Sequence, residues 1–313
     1  MASPAGAPMV LPHLDAAFDT LVRGNAAVSV TVVSANGSAY KRASGRTLGG
    51  QPVTASTPMV LASVSKLITS LTIARLVEAG RLTLDARVPW TAMGLQHDPA
   101  WDGVTVRELL DHTSGMPIAR DSWFDLAGPC SIPLEEALAQ PPRPQRGKWA
   151  YSNGNYCALG LLISYVTSER LDSAARQLVL AGLHAGDAHL TTDQPLASDG
   201  PYAKGVARLE RLGGAGTWMA SSDIIATIVA AATDADMTTL AYPAVMTDQY
   251  GWGHTGTVDG AKACAWRLSG DTTIVAIVAG NRPDSGGRLC DLLVPALAAD
   301  FGITLGKPDR QPK

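Results

Sequence analysis

Strand-like patterns lie at both ends of this chain, and helical patterns fill the region between them. Near the start, AAVSVTVVSANGSAYKRASG alternates apolar and small polar residues around Asn36-Gly37, a turn pair that predicts a β-hairpin. Near the end, KACAWRL and TTIVAIVAG repeat the period of two around a Ser269-Gly270-Asp271 turn and predict paired antiparallel strands. We therefore expect one sheet built from both termini.

The middle of the chain carries helical signals. From Ser63 the apolar residues recur near a period of 3.6 until Gly80. Thr105 can cap a helix in VRELLDH, and a further helix is predicted in PLEEALA, behind its proline. Further helices are predicted in GNYCALGLLISYV, in SSDIIATIVAAA behind a Ser-Ser-Asp cap, and in the closing GGRLCDLLVPALAADFG.

These patterns together predict an α/β (α+β) fold. Its antiparallel sheet is formed from both termini and flanked by helices, and a mostly helical lobe is inserted into it. We expect residues 1–62 and 240–313 to form the sheet domain and residues 63–239 to form the helical domain, with a cleft between them.

Composition narrows the classes of partner. The chain has 313 residues, of which 46% are hydrophobic, and a net charge of -3 from 25 basic and 28 acidic residues. This balance provides no basic field for nucleic acid or anionic lipid. The longest apolar stretches, such as 224–232, are shorter than the ~18 residues of a membrane-spanning helix. We expect a small-molecule or peptide substrate, no nucleic acid and no membrane span, and the oligomeric state stays open.

The four cysteines contain no CxxC pair, which disfavours a zinc or thioredoxin-type site. No HExxH or HxH pattern is present either, so we expect no metal and no cofactor. The cysteines are either buried thiols or disulfides, and chain order suggests Cys130 with Cys157 and Cys264 with Cys290. Disulfides would imply an oxidising compartment. The first residues lack a signal-peptide pattern, so either the protein is cytoplasmic or its signal is absent from this chain. We expect an extracytoplasmic protein, with a cytoplasmic protein as the alternative.

The segment LASVSKLITS places Ser63 three residues before Lys66 at the start of a helix. This spacing puts both side chains on one helix face, where free N–H groups can stabilise an oxyanion. Serine needs a neighbouring base to become a nucleophile, and lysine can be that base only if its pKa is lowered. The alternative is a capping serine beside a surface lysine. A second copy, Ser38 and Lys41, lies at the hairpin tip and is interpreted as accidental.

Two further segments carry groups suited to chemistry. WAYSNGNYCALGLL places Tyr151 and Asn153 just before a hydrophobic helix, where a phenol could relay a proton and an amide could donate and accept hydrogen bonds. The alternative is an ordinary helix start capped by Ser152 or Asn153.

The third segment, YGWGHTGTVDG, places His254, Thr255, Gly256 and Thr257 on a strand edge bounded by glycines. Glycine lets a ligand or another backbone segment approach closely, and threonine offers hydroxyl and N–H groups. The alternative is a turn with a solvated histidine.

In this order, S-x-x-K, Y-S-N and H-T-G, with LLDHTSGMP between the first two, resemble the motifs of the serine β-lactamase and penicillin-binding-protein superfamily. The chain is most similar to the branch of class C β-lactamases, serine D-alanyl-D-alanine carboxypeptidases and related esterases. GRLTLDARV and GAGTWMASSDI resemble connecting segments of that branch, so the resemblance extends from about residue 28 onward.

The resemblance implies that Ser63 attacks a carbonyl in the cleft between the two domains and forms an acyl-enzyme. It assigns proton transfer to Lys66 and Tyr151, and it assigns Asn153 to the acyl side chain. The backbone N–H groups of Ser63 and Thr257 would form the oxyanion hole.

For the third motif, the resemblance makes Thr255 and Thr257 candidates for gripping a substrate carboxylate. His254 stands where many relatives carry lysine, and its reference pKa near 6.5 leaves its charge open. YGWG runs directly into HTG, without the further strand that relatives usually have, which predicts a more open edge of the site. No arginine just precedes His254, which argues against strict D-alanyl peptide specificity.

The resemblance thus predicts a serine hydrolase acting through an acyl-enzyme on a small ester, amide, β-lactam or D-alanyl peptide. One alternative is an acyltransferase of the same fold. Another is a penicillin-binding or sensory module with little turnover.

Overall fold

The computed structural model describes most of the chain. The residues described are 9–47, 49–117, 128–181, 188–190, 212–233, 236, 246–248, 251–269 and 271–303.

The predicted helices and strands occur in the predicted order, whereas two helices, Pro12–Val22 and Leu171–Leu178, and four short strands were not predicted. Among the described residues the helices are α1 (Pro12–Val22), α2 (Ser65–Glu78), α3 (Val106–Leu110), α4 (Ser131–Leu138), α5 (Asn153–Thr167), α6 (Leu171–Leu178), α7 (Ser222–Ala230) and α8 (Gly286–Asp300). The strands are β1 (Ala27–Val33), β2 (Ala39–Gly45), β3 (Met59–Val60), β4 (His189–Leu190), β5 (Trp218–Ala220), β6 (Met246–Asp248), β7 (Gly251–Val258), β8 (Ala261–Leu268) and β9 (Thr273–Ala279).

The main sheet joins the two ends of the chain. Its strand order is β2-β1-β9-β8-β7-β6, and every neighbouring pair is antiparallel. Strand β1 pairs with its hairpin partner β2 on one side and with β9 on the other, with Ala27 opposite Ala279. The predicted mixed α/β fold with a sheet from both termini is therefore confirmed. A small second sheet has the order β3-β5-β4.

Both faces of the main sheet are covered. Val28, Val30 and Val32 point to one face and pack in a core with helices α1 and α8. Ser29 and Thr31 point to the other face, where their hydroxyl oxygens lie 2.8 and 2.9 Å from Ser222 Oγ at the start of α7. Alternate residues of β1 therefore face two different layers: helices α1 and α8 on one side of the sheet and helix α7 on the other.

Helix α2 forms the centre of the helical region. Eleven of its fourteen residues are buried, on every side of the helix. Between its apolar residues, the buried positions are occupied by Lys66 and by small hydroxyl side chains, so this part of the helix has no solvent-facing polar stripe. Helices α5 and α6 pack against it.

The predicted helix starts and stops agree closely with the structure. A 3-10 turn, Ala62–Val64, precedes α2, which ends two residues before Gly80. Thr105 and Glu108 form a reciprocal capping box at the start of α3. Of the Ser-Ser-Asp cap candidates, Ser221 caps α7 through the N–H of Ile224.

The ends of α3 and α7, at Leu110 and Ala230, fall two residues before the ends of the predicted segments. Among the helix starts, the clearest shift is in α4. This helix begins at Ser131 and holds Pro133 in its first turn, two residues earlier than predicted. Proline is tolerated there because first-turn N–H groups have no partner within the helix.

Both suggested cysteine pairings are present. A disulfide joins Cys130, at the start of α4, to Cys157 in α5, with Cα atoms 5.9 Å apart. A second joins Cys264 in β8 to Cys290 in α8, with Cα atoms 5.3 Å apart. The pairing that chain order suggests is therefore confirmed.

The division into a sheet domain and a helical domain stays a prediction, and its second boundary, residue 240, lies outside the described residues. Within the described part of the chain, no helix is both long and apolar enough to cross a bilayer.

Candidate active site

Ser63 lies in a short turn between strand β3 and helix α2. The preceding residue, Ala62, is fully buried and has a φ of 47°, in the left-handed region that disfavours alanine. The turn is anchored to strand β5 because the Leu61 N–H donates to the Trp218 oxygen at 3.1 Å. Such backbone strain is typical of functional sites and persists only where the surroundings hold it.

Lys66 has no exposed surface. Its Nζ atom lies 3.1 Å from Ser63 Oγ. The same nitrogen lies 2.9 Å from Asn153 Oδ1 and 2.8 Å from the backbone oxygen of Ala215. Burial lowers the pKa of Lys66 well below its usual range, because desolvation penalises the ammonium form. The alternative of a surface lysine is therefore wrong.

Tyr151 is held beside Ser63 by the start of helix α5. Ser152 caps this helix by accepting the Gly154 N–H at 3.2 Å, and it donates its hydroxyl to the Pro117 oxygen at 2.6 Å. The residue before the cap is thereby fixed, and the Tyr151 hydroxyl donates to Ser63 Oγ at 2.8 Å. Burial raises the pKa of Tyr151 to about 12, although the Ser63 hydrogen bond opposes this. The phenol is therefore protonated near neutral pH.

Strand β7 brings the third motif against the turn that carries Ser63. Gly256 is buried, and a Cβ atom added to it would lie 2.2 Å from the Leu61 backbone oxygen. Only glycine permits this approach of two backbones. Its neighbours Thr255 and Thr257 consequently line the open space next to Ser63.

His254 is 4% exposed and lies on the same strand. Its Nδ1 atom lies 2.7 Å from the Thr255 backbone oxygen. A carbonyl only accepts, so Nδ1 carries the hydrogen and Nε2 carries the lone pair. Burial, with a smaller effect of Lys66, lowers the pKa of His254 to about 3. The ring is therefore neutral near pH 7.

The three motifs meet in one cleft of about 340 Å³. Ser63, Tyr151, Asn153, His254, Thr255 and Thr257 line it. The Tyr151 and His254 ring centroids are 6.5 Å apart. Lys66 lies behind the wall of this cleft, and Gly256 is buried beneath it. The second S-x-x-K copy, Ser38 and Lys41, is not among the residues that line the cleft. Its lysine forms an ion pair with Asp223 at the surface.

His112 also lines the cleft, although the sequence reasoning assigned it no role. Its backbone oxygen accepts the Ala150 N–H at 2.8 Å. Its Nδ1 atom accepts the Ser152 N–H at 3.2 Å and an Asn155 amide N–H at 3.0 Å. Its ring centroid lies 4.6 Å from that of Tyr151. The available signal was its place in LLDHTSG, the segment between the first two motifs.

Burial lowers the pKa of His112 well below its usual range, and the nearby Lys66 and His254 act in the same direction. The ring is consequently neutral, as its two hydrogen bonds to Nδ1 require.

Trp149 and Met246 complete the lining and were also missed. They keep 58% and 42% of their surface exposed. Trp149 lies two residues before Tyr151, which was a weak signal, whereas Met246 has no motif around it. Among the described residues no cluster of three or more histidine, cysteine or acidic side chains could hold a metal ion.

Comparison with known proteins agrees with this geometry. The sequence profile of the beta-lactamase family matches residues 14–297. The chain belongs to the beta-lactamase family. The matched range includes all three motifs, the main sheet and the helices between its strands.

Two relatives of similar sequence are an esterase and a penicillin-binding protein. Esterase EstB from Burkholderia gladioli is 33% identical over 218 residues, which are 62% of this chain and 55% of the esterase. Penicillin-binding protein 4 from Amycolatopsis lactamdurans is 30% identical over 183 residues, which are 55% of this chain and 48% of that protein. The matches thus span about half the length of each relative.

The fold is similar to that of D-amino acid amidase from Ochrobactrum anthropi SV3. The TM-score is 0.75, and the match covers 94% of this chain and 99% of the amidase. At 17% sequence identity, this likeness concerns the fold alone.

Proposed function

We propose that this member of the beta-lactamase family is a serine hydrolase that cleaves esters or amides through an acyl-enzyme on Ser63. One observation carries the proposal. Ser63 Oγ lies 3.1 Å from a buried amine, Lys66 Nζ, and 2.8 Å from a phenol, Tyr151, at the wall of an open cleft. A hydroxyl between a base and a proton donor is the arrangement that activates a nucleophile.

Lys66 is the base in this mechanism. A neutral amine has two N–H groups and one lone pair. The Asn153 and Ala215 oxygens take the two N–H groups, which leaves the lone pair for the Ser63 hydroxyl. The Ser63 oxygen then attacks the substrate carbonyl carbon while its proton passes to Lys66. The Tyr151 hydroxyl, held on the other side of Oγ, provides the route by which a proton reaches the leaving alcohol or amine.

Collapse of the tetrahedral intermediate breaks the bond from the carbonyl carbon to the leaving group. The leaving group departs with one proton, and the acyl group stays on Ser63. Water then adds to the acyl carbon and gives one proton to Lys66. The bond from the acyl carbon to Ser63 Oγ breaks, the proton returns from Lys66 to that oxygen, and the products are the free acid and the original serine. The N–H groups of Ser63, in the first turn before α2, and of Thr257 on β7 are the proposed donors to the oxyanion.

The direct test is acylation followed by intact-mass spectrometry with p-nitrophenyl acetate and with a fluorescent penicillin. We expect a mass gain of one acyl group on the wild-type protein and none on Ser63→Ala. Ser38→Ala is the matched control because it removes the serine of the other S-x-x-K copy, and it should acylate normally. Absence of any adduct on Ser63 with either reagent contradicts the proposal. A stable adduct without turnover favours a penicillin-binding or sensory module instead.

We also infer that the protein works in an oxidising compartment outside the cytoplasm. All four cysteines are joined in two disulfides. Disulfides of this kind persist where thiols are not kept reduced. Thiol counting on unreduced, unfolded protein from the native host should find no free thiol, and four reactive thiols would contradict the inference.

A further inference from the structure

The walls of the cleft lack charge. Among the described residues that line it, the groups that could be charged are two histidines and one tyrosine. All three are neutral near pH 7 for the reasons given above: burial disfavours the imidazolium of both histidines and the phenolate of Tyr151. A carboxylate that enters this space finds no cation on these walls.

His254 also presents the wrong partner to a carboxylate. Its Nδ1 hydrogen is used by the Thr255 oxygen at 2.7 Å. The other ring nitrogen, Nε2, is therefore a lone-pair acceptor on a residue that lines the cleft. An acceptor binds the N–H or O–H of an uncharged group, whereas it repels the oxygen of a carboxylate. To bind a carboxylate, His254 would have to gain a proton in a buried position close to Lys66.

The mouth of the cleft is apolar. Trp149 and Met246 line it with roughly half of their surfaces open to solvent. The indole is positioned by an edge contact with the His112 ring, at 6.5 Å between centroids and 80° between planes. Exposed aromatic and thioether surface beside a catalytic centre is surface that an apolar ligand group can cover.

We propose that this cleft selects uncharged acyl donors that carry an aromatic group, with Trp149 contacting the aromatic ring and the His254 Nε2 lone pair excluding a leaving group that bears a carboxylate. This inference rests on the proposed acyl-enzyme function and gives it a substrate class. It departs from the carboxylate-gripping role that the sequence resemblance implied for this strand.

Three esters separate the two parts of the inference. Meta-carbamoylphenyl phenylacetate and meta-carboxyphenyl phenylacetate differ only in the charge of the leaving group. Meta-carbamoylphenyl acetate keeps the neutral leaving group and lacks the aromatic acyl group. For each ester, kcat/KM is divided by the rate of spontaneous hydrolysis, which removes the difference in intrinsic reactivity.

For charge, we expect the wild-type protein to prefer the carbamoyl ester over the carboxy ester by about tenfold or more, because the carboxylate would lose hydration against walls that offer it no cation. His254→Lys supplies a cation and should reverse this preference. His254→Gln adds no charge and should keep it. A wild-type ratio near one, or a His254→Lys ratio equal to that of the wild type, overturns the inference.

For the aromatic group, we expect Trp149→Ala to lower the ratio of phenylacetate to acetate by about tenfold, and Trp149→Phe to keep most of it. Tyr165→Ala is the matched control, since this exposed tyrosine belongs to α5 and is not among the residues that line the cleft. It should leave the ratio unchanged. An equal ratio in Trp149→Ala and wild type overturns the aromatic part.

The same three esters distinguish a wrong substrate class from a wrong serine hydrolase assignment. If Ser63 is acylated by the acetate ester and the ratios are near one, the substrate class is wrong and the serine hydrolase stands. If none of the three esters acylates Ser63, both proposals fall.

Discussion

At the scale of the residue, burial shifts the pKa values of the two groups beside Ser63 in opposite directions. Tyr151 cannot serve as a phenolate near neutral pH, because burial raises its pKa to about 12. The pKa of Lys66 is shifted in the other direction, because desolvation disfavours the charged form of its amine. The same physical cause therefore suits the amine to the role of base, and the phenol to the role of proton donor, in the proposed mechanism.

The first prediction concerns pH. Below the lowered pKa of Lys66 the amine is charged and has no lone pair; above that pKa it is neutral. Acylation should therefore rise with pH through a midpoint well below the ~10.4 of free lysine. The rate of Ser63 acylation, measured against pH in single turnovers, checks this. A midpoint near that of free lysine would show that Lys66 is not the base.

The second prediction uses a variant of that base. Lys66→Met keeps an unbranched side chain and removes the amine, so acylation should slow by at least about 10²-fold, the usual range for loss of a general base. Lys41→Met removes the lysine of the surface S-x-x-K copy and serves as the control. Equal acylation rates in the two variants would argue against the assigned role.

The third prediction concerns His112, which we interpret as a positioning residue for the Tyr151-Ser152 segment. His112→Leu leaves the Ser152 N–H and the Asn155 amide without their acceptor, at a cost of about 1–3 kcal/mol. It should lower kcat for an ester more than it changes KM.

His112→Asn is the matched variant. Its Oδ1 atom can replace Nδ1 as acceptor, and asparagine tolerates the left-handed φ of 55° found at this position. It should restore most of the kcat that His112→Leu loses. Equal losses in both variants, measured with matched thermal unfolding curves, would contradict the positioning role.

At the scale of the element, strand β7 and helix α8 share a tight contact that places the third motif. A Cβ atom added to Gly286 would lie 2.4 Å from the Gly256 backbone oxygen. The Gly286 N–H also donates to Thr257 Oγ1 at 2.8 Å. The start of α8 therefore supports the strand from behind, while the turn carrying Ser63 packs against its other side.

The fourth prediction compares two adjacent glycines of α8. Gly286→Ala must push β7 away and should destabilise the protein by about 1–3 kcal/mol while slowing acylation. Gly287→Ala meets its nearest atom at 3.8 Å, so it should be neutral or slightly stabilising. Denaturant unfolding and acylation rates check both variants. A stable, active Gly286→Ala protein would show that this contact does not hold the strand.

At the scale of the whole molecule, each disulfide ties a helix to its packing partner. Cys264–Cys290 joins β8 to α8, and Cys130–Cys157 joins the start of α4 to α5. The sequence separations are 26 and 27, so the two bridges close loops of nearly equal length.

The fifth prediction follows from loop length. Because the loops are equal, removing either bridge by a double cysteine-to-alanine substitution should lower the free energy of unfolding by a similar amount, about 3–4 kcal/mol. Urea unfolding of the two variants and of the wild type measures this. A reductant that leaves the wild-type unfolding midpoint unchanged would show that the bridges contribute nothing to stability.

Much of the architecture could be predicted because it depends on local pattern. The hairpin followed from Asn36-Gly37, the start of α3 from Thr105, and the sheet from a period of two at each terminus. These signals act between neighbours in the chain, so they can be read without knowing the fold. The same holds for the motif residues, whose types and order identified the superfamily, while their individual roles remain predictions.

The sequence by itself therefore determined the fold class and the family, and it suggested the cysteine pairing and the three motifs of the candidate site. Only the tertiary structure decided the lowered pKa values of Lys66 and His254, the contacts of His112 with the Tyr151-Ser152 segment, and the apolar mouth at Trp149. The reason is physical. Burial and hydrogen-bond partners set pKa values and tautomers, and for these residues they come from segments far apart in the chain.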